Sequence, residues 1–328
     1  RDNVPDGFEE GPSHDIELGE YLFQGEMPGL SALVGHHELS QSGLLMQNFH
    51  RRGVSLNKAL GNGQVAASAF AFRSEPIIGW QQGLGIGDEE NRVIGGLLSY
   101  SPIRSNPAAL KVTTMYVKGE GDDHSGLGVS GGTAESSGDG VSLVAESHLV
   151  DGRLRIRGEI ATTDHDFDGN GEFFSSETDG AHSLLVSYIP WQDYYSDAPG
   201  SLELGVEFQQ VELFFHSLAN PSLPTDKALQ RLFAVFSRGG LNLQAQVALE
   251  SNNVDDDPLV ATLENHLTDL SVSYSPQLRY SDTGYPVTPW YGQVTLRALF
   301  QVSDIEHVEI PLGQESFRID QSTQNRYL

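Results

Sequence analysis

Residues 141–172 read VSLVAESHLVDGRLRIRGEIATTDHDFDGNGE, two alternating runs joined by a tight turn and followed by an acidic, glycine-bearing loop. Asp151-Gly152 is a strong hairpin signal, because a type I′ turn needs two residues that tolerate positive φ. Beyond the turn, Leu154, Ile156, Gly158 and Ile160 share one face of the strand, and Arg153, Arg155, Arg157 and Glu159 share the other. A period of two with a charge at every second residue demands apolar surroundings on one side and water on the other. What those two surroundings are decides the fold.

The hairpin belongs to a repeat. Leu98-Ser99-Tyr100-Ser101-Pro102, Val186-Ser187-Tyr188-Ile189-Pro190 and Val272-Ser273-Tyr274-Ser275-Pro276 share a Φ-S-Y-x-P pattern, with tyrosines 88 and 86 residues apart. The same series follows each of the first two: a long strand, then a hairpin turned by Asp151-Gly152 in one copy and Gly239-Gly240 in the other. Such a period is too long for an ordinary solenoid and fits four strands of about eleven residues with their loops.

From Gly43 onward strand signals follow one another at 43–54, 64–73, 77–86, 91–101, 108–118, 141–150, 153–163, 181–190, 202–215, 227–237, 241–251, 267–276 and 291–303, with a last run at 324–328. Residues 1–40 are less regular and read as a loosely structured N-terminal segment, with short strands at 15–23 and 30–39; residues 41–328 read as one unit. The stretch 226–236 comes closest to a helical pattern, but Arg238-Gly239-Gly240 after it reads as a hairpin turn.

The connections sort by parity. Short ones follow each S-Y-x-P strand and each hairpin turn, and long ones (119–140, 163–180, 216–226 and 252–266) take the alternate places. The connection 277–290 is long where a short one is expected. Leu241, Leu243, Ala245, Val247 and Leu249 alternate with Asn242, Gln244, Gln246 and Glu250, as do Leu202 to Phe208 with Glu203 to Gln209. A two-sheet sandwich alternates as well, but with shorter strands, Greek-key crossings and a domain boundary about every 100 residues. Strand length, loop parity and one uninterrupted meander favour an all-β, antiparallel, up-and-down transmembrane β-barrel of roughly 12–16 strands, with long loops at one end.

Composition agrees. The chain has 328 residues, an apolar share of 38%, 36 glycines and 9% aromatics, which suits alternating strands with long polar loops. A formal charge of −26 argues against nucleic acid, whose phosphates would be repelled, and suits a cation-rich exterior. The absence of Cys excludes thiolate metal sites, disulfides and cysteine nucleophiles. No apolar run is long enough for a transmembrane helix, which leaves membrane-spanning strands open.

On the alternating strands, the Tyr-x-Pro strand ends, the long acidic loops and the lack of Cys, residues 43–328 resemble a Gram-negative outer-membrane β-barrel. The resemblance implies location in a bacterial outer membrane, contact with membrane lipid, and a passive role as channel, export conduit or membrane anchor of a surface system. Partners in surface or secretion machinery would follow from the last two roles. The C-terminal aromatic strand of that class is missing at Tyr327-Leu328, and the chain opens on Arg1 without a signal peptide, so a trimmed or partial polypeptide is expected.

Two sets of residues carry candidate chemistry. Asp164, Asp166, Asp168, Asn170 and Glu172 place oxygen ligands at alternating positions, with Gly169 at the sixth, like the first half of an EF-hand loop. Ser175 stands where that loop needs a bidentate Glu, so the expectation is calcium in an irregular cage, weighed against a solvated acidic loop. Asn252 to Asp257 occupies the equivalent loop of the next repeat, and His36-His37 reads as incidental. On the barrel reading, Arg153, Arg155, Arg157, Glu159, Glu203, Glu207 and Glu250 line the lumen, where they set a pore's field or cross-link its interior. Gly-x-Ser-x-Gly, His-Glu-x-x-His and P-loop motifs are all missing, so no enzyme activity is expected. The competing class is a secreted or cell-surface β-rich adhesion or assembly module with calcium-binding loops.

Overall fold

A computed structural model describes residues 20–60, 63–75, 83–122, 135–167, 176–194, 198–275, 279–280, 286–287, 295–311 and 320–327. Strands β1 (Leu22–Met27), β2 (Leu30–Leu39), β3 (Phe49–Leu60), β4 (Val65–Arg73) and β5 (Arg92–Tyr100) open the sheet. They are followed by β6 (Lys111–Asp122), β7 (Glu135–Leu149), β8 (Leu154–Asp166), β9 (Glu177–Asp193), β10 (Gly200–Val211) and β11 (Lys227–Arg238). Strands β12 (Leu241–Ser251), β13 (Thr262–Tyr274), β16 (Leu296–Glu309) and β17 (Gln321–Tyr327) complete it, with β14 (Arg279–Tyr280) and β15 (Pro286–Val287) forming a separate small hairpin. Each strand of the 15-stranded sheet pairs antiparallel with its neighbours in sequence order, and the described residues contain no α-helix. Among the described residues no pairing joins β1 to β17.

The sheet begins earlier than the expected boundary at residue 40, since β1 and β2 are its first two strands. Gly35 explains why regularity is hard to read there: with φ at 119° it brings the backbone against Tyr21, a place no Cβ would fit. Residues 43–48 are not strand, so β3 starts at Phe49. Residues 83–87 are turn rather than strand, because Gly83 and Gly85 take φ of 55° and 71°. At 226–236 the strand β11 forms, and the hairpin beyond it turns at Gly239 with φ of 56°.

Connections at one end are mostly short, 28–29, 61–64, 150–153, 194–199 and 239–240, with 101–110 longer than these. The Asp151-Gly152 turn has φ of 56° and 80°, with the Arg153 amide donating to the Val150 carbonyl at 3.1 Å. The connection 275–295 is long at this end and holds β14 and β15. Long connections cluster at the other end, including 40–48, 74–91, 212–226 and 252–261.

The outer face is apolar and exposed. Directly paired residues on adjacent strands share a face, so register defines continuous rows. One runs Ile156, Val186, Val206, Leu232, Val247, Thr268, Val302 from β8 to β16. The next runs Leu154, Tyr188, Leu204, Ala234, Ala245, Leu270, Phe300. Leu232 and Val247 are 56% and 48% exposed, so no second layer covers this belt. From Leu241 to Leu249 it spans about 27 Å of strand at ~3.4 Å per residue, roughly 20 Å of height at a ~40° tilt. Toward the short-turn end, Tyr100, Tyr188 and Tyr274 of the S-Y-x-P repeats are exposed, and Trp191 stacks on Phe236 with centroids 6.0 Å apart.

The inner face curls around a core made by two chain segments that fold inward. Met46 and Ala219, from connections 40–48 and 212–226, pack with Phe49, Phe70, Phe72, Val93 and Met115 of the β3–β6 wall. Leu44, Leu45 and Phe215 pack with Ala161, Ala181 and Val211 on the β8–β10 wall. The same two segments therefore seat two apolar clusters on walls far apart in sheet order, which requires the sheet to be rolled.

Candidate functional site: the infolded loops and the inner wall

In residues 40–48 the apolar run Leu44-Leu45-Met46 breaks the alternation of a two-faced strand, and all three side chains are at most 1% exposed. Such a run cannot lie in a strand with one apolar and one polar face, so it turns into the interior instead. Two neighbouring wall residues hold it, Glu159 and Arg157, whose guanidinium donates to the Gln41 carbonyl at 3.3 Å. The Glu159 carboxylate accepts from the Gly43 amide at 2.8 Å, the Leu44 amide at 3.2 Å and the Ser42 hydroxyl. Ser42 Oγ in turn accepts from the Leu45 amide at 2.8 Å. Glu159 lies seven residues from the loop end of β8, about 24 Å along the strand at ~3.4 Å per residue, so the loop tip reaches mid-height.

The second infolded segment, 212–226, locks the first. Asn220 Nδ2 donates to the Gly43 and Leu44 carbonyls at 3.1 and 2.9 Å, and the Ser217 hydroxyl donates to the Leu45 carbonyl at 2.7 Å. The wall holds this segment too: the Phe214 amide donates to Asp179 at 2.6 Å and the His216 amide to Thr163 Oγ1 at 3.2 Å. His165 and His216 rings meet at 4.4 Å beside Phe167. Between the two segments and the β8–β10 wall lies a polar cavity of about 460 Å³ lined in part by Gln41, Gln47, Arg157, Glu207, Gln209 and Ser222.

Charges on this wall are paired. Arg157 bridges Glu146 at 2.7 Å and Glu159 at 3.5 Å, Lys227 meets Glu250 at 2.9 Å, and Arg231 is paired with Glu207. Arg155, Glu203 and Glu250 share the inner face by strand parity, whereas Arg153 belongs to the turn, one residue before β8 begins. Asp164 and Asp166 stand on the outer face of β8, with Asp164 in register with Asp139 of β7; Asp168, Asn170 and Glu172 lie outside the described residues. Among the described residues no group of His, Asp and Glu is arranged to hold a metal ion. Within Asn252 to Asp257, Asn253 is bound to its own loop by bonds to Asp257 and Thr262.

Reading the sequence missed Ser42, Ser217 and Asn220, small polar residues in segments without periodicity. The one signal was the apolar triplet at 44–46 in a stretch otherwise read as strand. His36 and His37 make packing contacts within the wall. His37 Nε2 is 2.9 Å from Ser55 Oγ and its ring packs 4.7 Å from Phe72, while His36 packs edge-on to Tyr21 at 5.4 Å.

No protein-family model and no curated protein matches the chain. Among solved structures, OccK10 (OpdN) of Pseudomonas aeruginosa is similar over 90% of this chain and 78% of its own, with a TM-score of 0.50 and 13% identity. OpdQ of Pseudomonas aeruginosa is similar over 94% and 79%, with a TM-score of 0.48 and 10% identity. Wzi, described as a carbohydrate-binding outer-membrane β-barrel involved in group 1 capsule assembly in Escherichia coli, is similar over 92% and 66%, at 0.43 and 10%. The likeness to OccK10 shows the fold, an up-and-down β-barrel.

Proposed function

We propose that this chain is a β-barrel of a bacterial outer membrane that works as a passive conduit for small polar solutes. The observation that carries this reading is the pairing of an exposed apolar outer face with an interior that residues 40–48 and 212–226 fill only in part, packing against the β3–β6 and β8–β10 walls and leaving the polar inner face of β12–β17 open. Lipid is the environment in which that outer face costs nothing, and the two infolded segments would act as a constriction. A soluble calcium-dependent module would have to leave the whole belt against water, which the hydrophobic effect opposes. We assign the chain no catalytic step, and calcium at Asp164–Glu172 stays a separate proposal: calorimetry should show binding that Asp166→Ala and Asp168→Ala abolish. The conduit is tested by reconstituting the purified chain in planar bilayers. Discrete conductance steps are expected; a correctly inserted protein that passes neither current nor glucose would overturn the conduit in favour of a membrane anchor.

A further inference from the structure

The two infolded segments do not fill the interior evenly. Under them, on the β3–β7 side, inward residues such as Ser55, Thr113 and Ser142 are sealed. On the β12–β17 side the inward residues Asn242 and Gln244 are exposed, and Gln246 and Gln301 are half-exposed. The space left inside the rolled sheet therefore lies along the β12–β17 wall, which ends at β17 without a paired neighbour among the described residues. Register gives that wall its chemistry. Gln246, Asp269, Gln301 and Asn325 form one lateral row, and Ser303 and Thr323 flank it beside Asn265. Neighbours in the row are bonded: Gln246 Nε2 donates to Asp269 at 2.6 Å, Asn325 Nδ2 to Gln301 at 3.5 Å, and Ser303 to Asn265 at 2.7 Å.

Resting on the conduit reading, we infer that this passage selects neutral polyhydroxylated solutes over ions. Amides and hydroxyls offer donors and acceptors side by side, so they replace a sugar's water shell group for group. Ions instead need a field, and here the inner-wall charges cancel: Lys111 and Arg157 against Glu146 and Glu159, Arg231 against Glu207, and Lys227 against Glu250. Asp269 is the exception within the row, and it spends an oxygen on Gln246. Arg155, Glu203 and Arg297 sit nearer the short-turn mouth, with both signs represented.

The test uses the full chain in liposomes and three solutes of one carbon skeleton: glucose, gluconate and glucosamine. Glucose entry is expected to exceed both charged analogues at least threefold. Equal rates, or faster entry of either ion, would overturn the selectivity and leave the conduit standing. No entry of any solute would sink the conduit itself. Gln246→Glu ties the effect to the wall: glucosamine should gain on glucose, and an unchanged ratio would overturn the assignment. Should that variant fail to insert, Gln301→Glu on the same row gives the same reading.

Discussion

Glu159 is 2% exposed, and a carboxylate so placed persists only where donors surround it. Ser42, two backbone amides and Arg157 supply them. Glu159→Ala removes the acceptor and leaves those donors inside without it, at about 1.5–3 kcal/mol for bonds to a charged group. The expected outcome is a lower urea midpoint together with larger or noisier single-channel conductance, since the loop tip is freed. Unchanged conductance would mean that residues 40–48 do not narrow the passage. Gly205 shows a second residue-scale constraint. A Cβ there would lie 2.3 Å from Phe233 Cζ, because the Phe233 ring from the paired strand lies flat over it. Gly205→Ala should cost about 1–3 kcal/mol by overpacking. Adding Phe233→Leu should recover most of the loss, and additive costs in that double variant would contradict the contact.

At the scale of the strand, neighbouring residues face different solvents, and β12 allows the contrast to be measured directly. Val247 lies in the outer row with Leu232 and Val206, while Gln246 lies in the inner row with Asp269. Val247→Arg should destabilise the protein in lipid vesicles by about 2–4 kcal/mol, the cost of a cation facing the bilayer midplane. Gln244→Arg, exposed on the inner face of the same strand, should stay within about 0.5 kcal/mol, as substitutions facing water do. Equal costs at the two positions would be incompatible with a lipid-facing belt. The hairpin turn at Asp151-Gly152 follows the same logic. Positive φ at the turn matches the strand twist.

For the whole molecule, the expected behaviour is that of a rolled sheet with lipid outside and a partly filled polar interior. The chain should require detergent for extraction and should migrate faster on electrophoresis unheated than after boiling; full solubility without detergent would sink the membrane reading. Much of this architecture could be read from residues alone. Leu241 to Glu250 alternates because one face meets apolar surroundings and the other water, and the S-Y-x-P tyrosines recur because one end of every fourth strand meets the same interface. Periodicity is a local property, so it determined strand identity, the meander and the loop parity. It could not report which loops turn inward, since Ser42, Ser217 and Asn220 have no periodic neighbours and differ from any surface turn residue only by what they touch. Ser42 to Leu44 meets Glu159 across more than a hundred residues of chain, and the row on β12–β17 assembles from four strands. Contacts of that separation depend on how the sheet rolls and registers. That was decided by tertiary packing of Leu44, Leu45, Met46 and Phe215 against opposite walls, which no single segment encodes.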